Sequence, residues 1–152
     1  MRTRPVLALA LVAAAAVATV PAHAATAKPK PIKGSYTLTL LPDPTAEVTE
    51  LAKPGCGLVL PTGQDKHPFT VPGKGKLHVV LDSPNPVPSD LAGADWDLYV
   101  LDSDGTILDS STGATAHEET TDKFKAKDKL TFWVCNLLGE PNATVTYTFT
   151  PA

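Results

Sequence analysis

The chain has 152 residues, enough for one domain of ordinary size and too few for two. It carries 13 basic against 16 acidic residues, and both arginines fall within the first four positions. From residue 25 onward 11 lysines face 16 carboxylates, a net charge of about −5, which argues against the basic stripe of a nucleic-acid binder and is sufficient for solubility.

Arg2 and Arg4 precede an unbroken apolar run from Val6 to Val20, and Pro21-Ala22-His23-Ala24 ends in a small-x-small pattern. This is the layout of a Sec-type signal peptide, residues 1–24, cleaved after Ala24. The run is shorter than the roughly 20 residues of a membrane span, so no span is expected after cleavage. The expectation is a secreted, extracellular protein. In that oxidising compartment Cys56 and Cys135 predict one disulfide. Closing so long a loop is worth about 4 kcal/mol by chain entropy. Neither cysteine has a second Cys or a His at ligand spacing, which disfavours a metal site there.

Residues 25–34 (ATAKPKPIKG) form a Lys/Pro-rich tether, extended by its prolines and solvated by its lysines. Residues 35–152 are expected to be one β-sandwich domain. Ser35–Leu41 alternates and reads as the first strand, stopped by Pro42-Asp43-Pro44. Ala46–Leu51 reads as a short edge strand, and Cys56–Leu60 as another after the turn Lys53-Pro54-Gly55. Gly63–Lys66 reads as a polar loop before the strand His67–Val71. In Lys76–Asp82, Leu77, Val79 and Leu81 share one face. Ser83–Gly93 is a proline-rich surface loop. In Asp95–Asp102, Trp96, Leu98 and Val100 point one way, and Asp95, Asp97, Tyr99 and Leu101 the other. Ser103-Asp104-Gly105 turns this strand into Thr106–Asp109, with glycine where the turn needs φ > 0. His117–Thr121 with Phe124, Leu130–Asn136 and Ala143–Thr150 complete the set. Short strands at this spacing, with no helical period after the signal peptide, predict an all-β antiparallel sandwich of jelly-roll type.

No nucleophile elbow, zinc-protease helix, phosphate loop or C-x-x-C motif is present, so no enzyme activity is expected. Asp95 and Asp97, two residues apart on a strand, project from one face. With Glu119 they make a candidate oxygen-rich calcium site, the only cofactor considered; the alternative is that they bond loop backbone. Asp102 and Asp104 read as turn residues. Tyr99 and Trp133 both fall on outward faces and form a candidate binding surface for sugar or polypeptide. The alternative for Trp133 is packing on the disulfide or under the proline loop.

The residues from His67 to Phe149 resemble the bacterial pre-peptidase C-terminal domain, a β-sandwich usually appended to secreted peptidases and related to collagen-binding modules. The likeness rests on Phe69–Leu81 (FTVPGKGKLHVVL), on D-x-D-L-Y-V-x-D-x-D-G at Asp95–Gly105, on Glu119–Thr121 and Leu130–Val134, and on the final Tyr147–Phe149. It implies a module that aids secretion or targets an enzyme to an insoluble substrate, in some relatives with calcium. The chain departs from the pattern in lacking a preceding peptidase, in its lysine-rich tether, and in its cysteine pair and long proline loop. The reading is a secreted, monomeric, non-catalytic binding or accessory module for an extracellular polysaccharide or protein. The alternative is a regulator or inhibitor of an extracellular enzyme acting through Ser83–Gly93.

Overall fold

A computed structural model describes residues 29–43, 55–84 and 94–152. Their strands are β1 (Ile32–Thr39), β2 (Gln64–Thr70), β3 (Gly75–Asp82), β4 (Asp95–Leu101), β5 (Ile107–Ser111), β6 (His117–Phe124), β7 (Lys129–Leu138) and β8 (Asn142–Pro151). They form two four-stranded sheets, ordered β1-β8-β3-β6 and β2-β7-β4-β5. Every pairing is antiparallel. This interleaving of chain order across two sheets is the jelly-roll arrangement, as the strand pattern led us to expect. Among the described residues no helix is long and apolar enough to cross a membrane.

Alternation builds the core between the sheets. Leu77, Val79 and Leu81 of β3 and Val145 and Phe149 of β8 meet Trp96, Leu98 and Val100 of β4 and Leu130, Phe132 and Val134 of β7. Each such side chain contributes about 1.5–3 kcal/mol on full burial. At the β1/β2 edge the core closes with aromatic rings: Tyr36 stacks on His67 at 4.0 Å, and Phe69 on Phe132 at 5.3 Å. The Asp95–Gly105 hairpin turns as expected, with Gly105 at φ 82°.

Three local readings change. The first strand begins at Ile32, inside the segment read as a tether, because Ile32 to Gly34 find partners in Phe149 to Tyr147 of β8. The segment after Gly55 is not a strand. It forms two 3₁₀ turns, Cys56–Leu58 and Pro61–Gly63, started by Gly55 at φ 109°. Pro61 has no N–H to give a ladder, and Cys56 is held to β7 through its sulfur. Gln64 to Lys66, read as loop, belong to β2, where they pair with Cys135 to Trp133. As an edge strand β2 tolerates that polarity, and Pro68 with it. The expected strand at 46–51 and residues 85–93 of the proline loop lie outside the described residues.

The Cys56–Cys135 disulfide is present, joining Cα atoms 5.7 Å apart. It pins the 3₁₀ segment over the outer face of the β2-β7-β4-β5 sheet. Beneath it Cys56, Val59, Tyr99, Leu101, Cys135 and Leu137 form a second buried cluster. The inner strands β4 and β7 are thus covered on both faces, and every β4 residue from Trp96 to Leu101 is buried.

Edge strands expose amides that invite aberrant pairing. Along β6, Thr121 N–H donates to Asp109 Oδ2 (3.2 Å), Lys123 N–H to Asp122 Oδ1 (2.6 Å) and His117 N–H to Thr115 Oγ1 (3.3 Å). Side chains occupy those three amides of the edge.

Replacing Cys56 and Cys135 together by alanine releases a constraint spanning 79 residues. Urea unfolding of the double variant should show a loss of about 4 kcal/mol. A loss below about 1 kcal/mol would mean the roof over this sheet is held by packing rather than by the bond.

Candidate functional site

Alternation places Asp95, Asp97 and Tyr99 on the outward face of β4, as expected, but that face is roofed. Tyr99 is 3% exposed and Asp97 3% exposed. The Tyr99 hydroxyl donates to Asp97 Oδ2 at 3.0 Å. Trp133 does lie next to Tyr99, their ring centroids 6.0 Å apart. It is half-buried against the disulfide cluster, donates Nε1–H to Gln64 Oε1 at 2.8 Å, and carries the Lys66 ammonium 4.2 Å from its ring centroid. A Cβ at Gly55 would sit 2.8 Å from the Trp133 ring, so glycine is required there on steric as well as backbone grounds. The candidate binding surface of Tyr99 and Trp133 is therefore corrected, and the alternative for Trp133, packing on the disulfide, is the arrangement found. The two rings form a packing layer, because the segment stapled by Cys56 covers them.

The candidate calcium ligands do not come together. Asp95 and Asp97 lie on the outer face of one sheet. Glu119 lies on the outer face of the other, where His78 Nε2 is 3.2 Å from its Oε2. Stacked sheets are about 10 Å apart, so the sandwich itself separates the carboxylates. Among the described residues no three His, Cys, Asp or Glu side chains gather to hold a metal ion.

The remaining acidic groups work locally. Asp102 Oδ1 accepts from the amides of Asp104 (2.8 Å) and Thr106 (2.9 Å), the turn role expected of it. Glu118, 3% exposed, is a structural carboxylate that alternation alone does not single out. It accepts from the Ser111 hydroxyl, from Gly113 N–H (3.2 Å) and from Thr115 Oγ1 (2.8 Å), tying the loop after β5 to the core edge. Three donors satisfy a charge whose burial would otherwise cost several kcal/mol. Of the proline loop, Ser83 is described: its N–H donates to Ala116 O and its hydroxyl to Asn142 O.

On the open outer face of the β1-β8-β3-β6 sheet, the β3–β6 ladder carries a graded set of charges. Asp82 pairs with His117, whose Nδ1 is 2.6 Å from Asp82 Oδ1, and His78 leans toward Glu119. At the other end Lys76 stands directly opposite Lys123. Like charges at such a position are destabilising, by an amount comparable to the roughly 0.2–1 kcal/mol a favourable pair contributes. Lys74 and Lys125 flank them just outside the strands.

These four lysines rim a groove of about 400 Å³. Gly75, Phe124 and Pro151 also line it; they are in register across β3, β6 and β8, in the next row of the sheet, which faces the core. Gly75 carries no side chain because the Phe149 ring fills that space; a Cβ there would lie 2.3 Å from Thr150 O and 2.6 Å from the ring. All four lysines are exposed, and among the described residues none makes an ion pair. A neighbouring cavity of about 450 Å³ across the β6–β7 turn is lined by Lys127 and Lys129 together with Asp102 and Asp128. Lys127 holds φ 70°, a left-handed conformation costly for a residue with a side chain. Six of the 11 lysines after residue 24 thus converge on one end of the sandwich.

Hydrogen bonding to Asp82 holds the His117 imidazole above its ordinary pKa. Partial burial opposes the shift, while the charges of Asp82, Glu119 and Glu118 add to it. Burial, with Asp65 and Tyr147 nearby, pushes the Tyr36 phenol well above its usual range, and its hydroxyl has no hydrogen-bond partner among the described residues.

No family model and no curated protein matches the chain. Matching solved structures include a mitogen derived from Yersinia pseudotuberculosis, at 14% identity and TM-score 0.42, with 81% of this chain and 88% of that chain covered. Another is the pre-peptidase C-terminal domain of a collagenase from Bacillus anthracis, at 14% identity and TM-score 0.39, with 78% of this chain and 85% of that one covered. The pre-peptidase C-terminal likeness read from the sequence is thus present among the structural matches as well.

A raised folded-state pKa means that the His117–Asp82 contact adds stability fully below the unfolded value of about 6.5. That contribution is lost as pH rises through the folded value. An NMR titration should place the His117 midpoint above 6.5, and Asp82→Asn should bring it down toward 6.5 with the fold unchanged. An unmoved midpoint in Asp82→Asn would dissociate the shift from this contact.

Proposed function

We propose that this chain is a secreted, non-catalytic β-sandwich module that binds an anionic partner at its lysine-rimmed end. The signal-peptide pattern and the disulfide support an extracellular setting. The observation that carries the binding surface is the direct juxtaposition of Lys76 and Lys123 with no counter-ion among the described residues. A pair that opposes folding where a Lys–Glu rung would favour it is explained by a ligand that supplies the missing negative charge.

The net charge of about −5 does not prevent this. At physiological ionic strength charges beyond about 8 Å are largely screened, so the local lysines decide what approaches this end. The tyrosine–tryptophan layer plays no part in contact, since the stapled segment covers it. The partner is an acidic polymer of the extracellular space, protein or polysaccharide, and the module positions itself or an associated enzyme upon it.

The protein should be retained on immobilised poly-glutamate at low salt, released by added salt, and not retained on neutral dextran. Lys76→Glu should abolish retention while raising unfolding stability by up to about 1 kcal/mol, because a like-charge rung becomes an opposite-charge one. Salt-insensitive retention, or retention unchanged in Lys76→Glu, would contradict the reading.

A further inference from the structure

Resting on that anionic reading, we infer that the binding surface gains His78 in mild acid, so that the anionic partner is held more tightly as pH falls. The strand register defines the outward-facing rows. In the first, Lys76 stands between Lys123 of β6 and Thr150 of β8. The second runs Lys33, Thr148, His78 and Thr121 across β1, β8, β3 and β6. His78 thus lies two residues along β3 from Lys76, on the same face, a backbone rise of about 6.6 Å. Its side chain is 43% exposed, open to a ligand resting on the sheet.

Imidazole is the side chain whose charge changes between pH 5 and 8. Above that range this second row adds no charge on β3, and the partner meets the lysines of the first row. Once protonated, His78 sets a third positive charge beside Lys76 and Lys123, within the screening length of about 8 Å at physiological ionic strength.

The charged groups around His78 decide how strongly that charge is felt. On β6 they are Lys123 and Glu119, whose Oε2 is 3.2 Å from His78 Nε2. On β3 they are Lys76 and Asp82, each on the same face. On that face β8 presents Thr146, Thr148 and Thr150, which do not titrate, and Lys33 follows on β1. Glu119 is the group in contact, and its carboxylate opposes the lysines while the imidazole is neutral. Proton uptake turns the contact into an ion pair and offsets the opposing charge.

His117 does not share this role, although its contact with Asp82 is closer, at 2.6 Å. It stands six residues along β6 from Lys123, about 20 Å, and directly opposite Asp82. At about three times the separation its charge acts more weakly on the lysine row and is more fully screened.

The test is calorimetric titration of the intact protein at low salt with a fully sulfated disaccharide, a probe that stays ionised in mild acid, as lysine does. Affinity should be at least about threefold higher near pH 5.5 than near pH 7.5. His78→Gln should remove most of that ratio, whereas His117→Gln should keep it. By reciprocity, saturating probe should raise the NMR titration midpoint of His78 by more than that of His117. Equal affinity at the two pH values, a ratio that survives in His78→Gln, or a His78 midpoint unmoved by the probe overturns the inference while leaving the anionic reading intact. No binding at either pH overturns both.

Discussion

The Cys56–Cys135 bond decides which surface of this sandwich is interior and which is free. A jelly roll of two four-stranded sheets has two outer faces, and alternation alone leaves both half-wetted. Here the disulfide draws the Gly55–Gly63 segment across one of them and creates a second apolar layer with Tyr99, Leu101 and Leu137. The strands beneath, β4 and β7, are buried on both sides and form the rigid centre. The opposite outer face stays polar, with Lys76, His78 and Asp82 on β3 and His117, Glu119 and Lys123 on β6.

That division sorts the charged residues by role. Three buried polar groups are matched to partners: Asp97 to Tyr99, Glu118 to three donors, and Asn136 Nδ2 to the carbonyls of Leu40 and Glu140. Exposed acidic groups at the edge, Asp109 and Asp122, cap amides that would otherwise pair with another chain. The lysines at the end of the sheet stand apart from this economy. Lys76 and Lys123 face one another, and the four lysines lack counter-ions among the described residues.

Much of the fold was legible in the sequence because period-two alternation is a direct record of a two-layer core. Trp96, Leu98 and Val100 face inward as their spacing demands, and Gly105 sits where the hairpin needs it. The same rule located Tyr99 and Trp133 on outward faces, yet could not say that a non-strand segment covers them. Coverage depends on a contact between Cys56 and Cys135, 79 residues apart, and no local pattern encodes the path of the chain around it. Nor could alternation reveal that Asp97 and Glu119 belong to opposite outer faces, since it gives the side of a strand but not its sheet. The lysine cluster has a local signal in the sequence. Lys74-Gly-Lys76 and the series Lys123 to Lys129 each place a lysine at every second residue. What the sequence withheld was the register that sets Lys76 against Lys123.

An anionic partner is proposed to bind at the lysine end of the β1-β8-β3-β6 sheet and not over the disulfide layer. Amide chemical-shift mapping with poly-glutamate tests this most directly. Shifts confined to residues 74–76, 123–125 and 150–152 are expected, with Trp133 and its neighbours in β2 and β7 unmoved. Shifts centred on Trp133, Lys66 and Gln64 would contradict it and return the binding surface to the face that the disulfide covers.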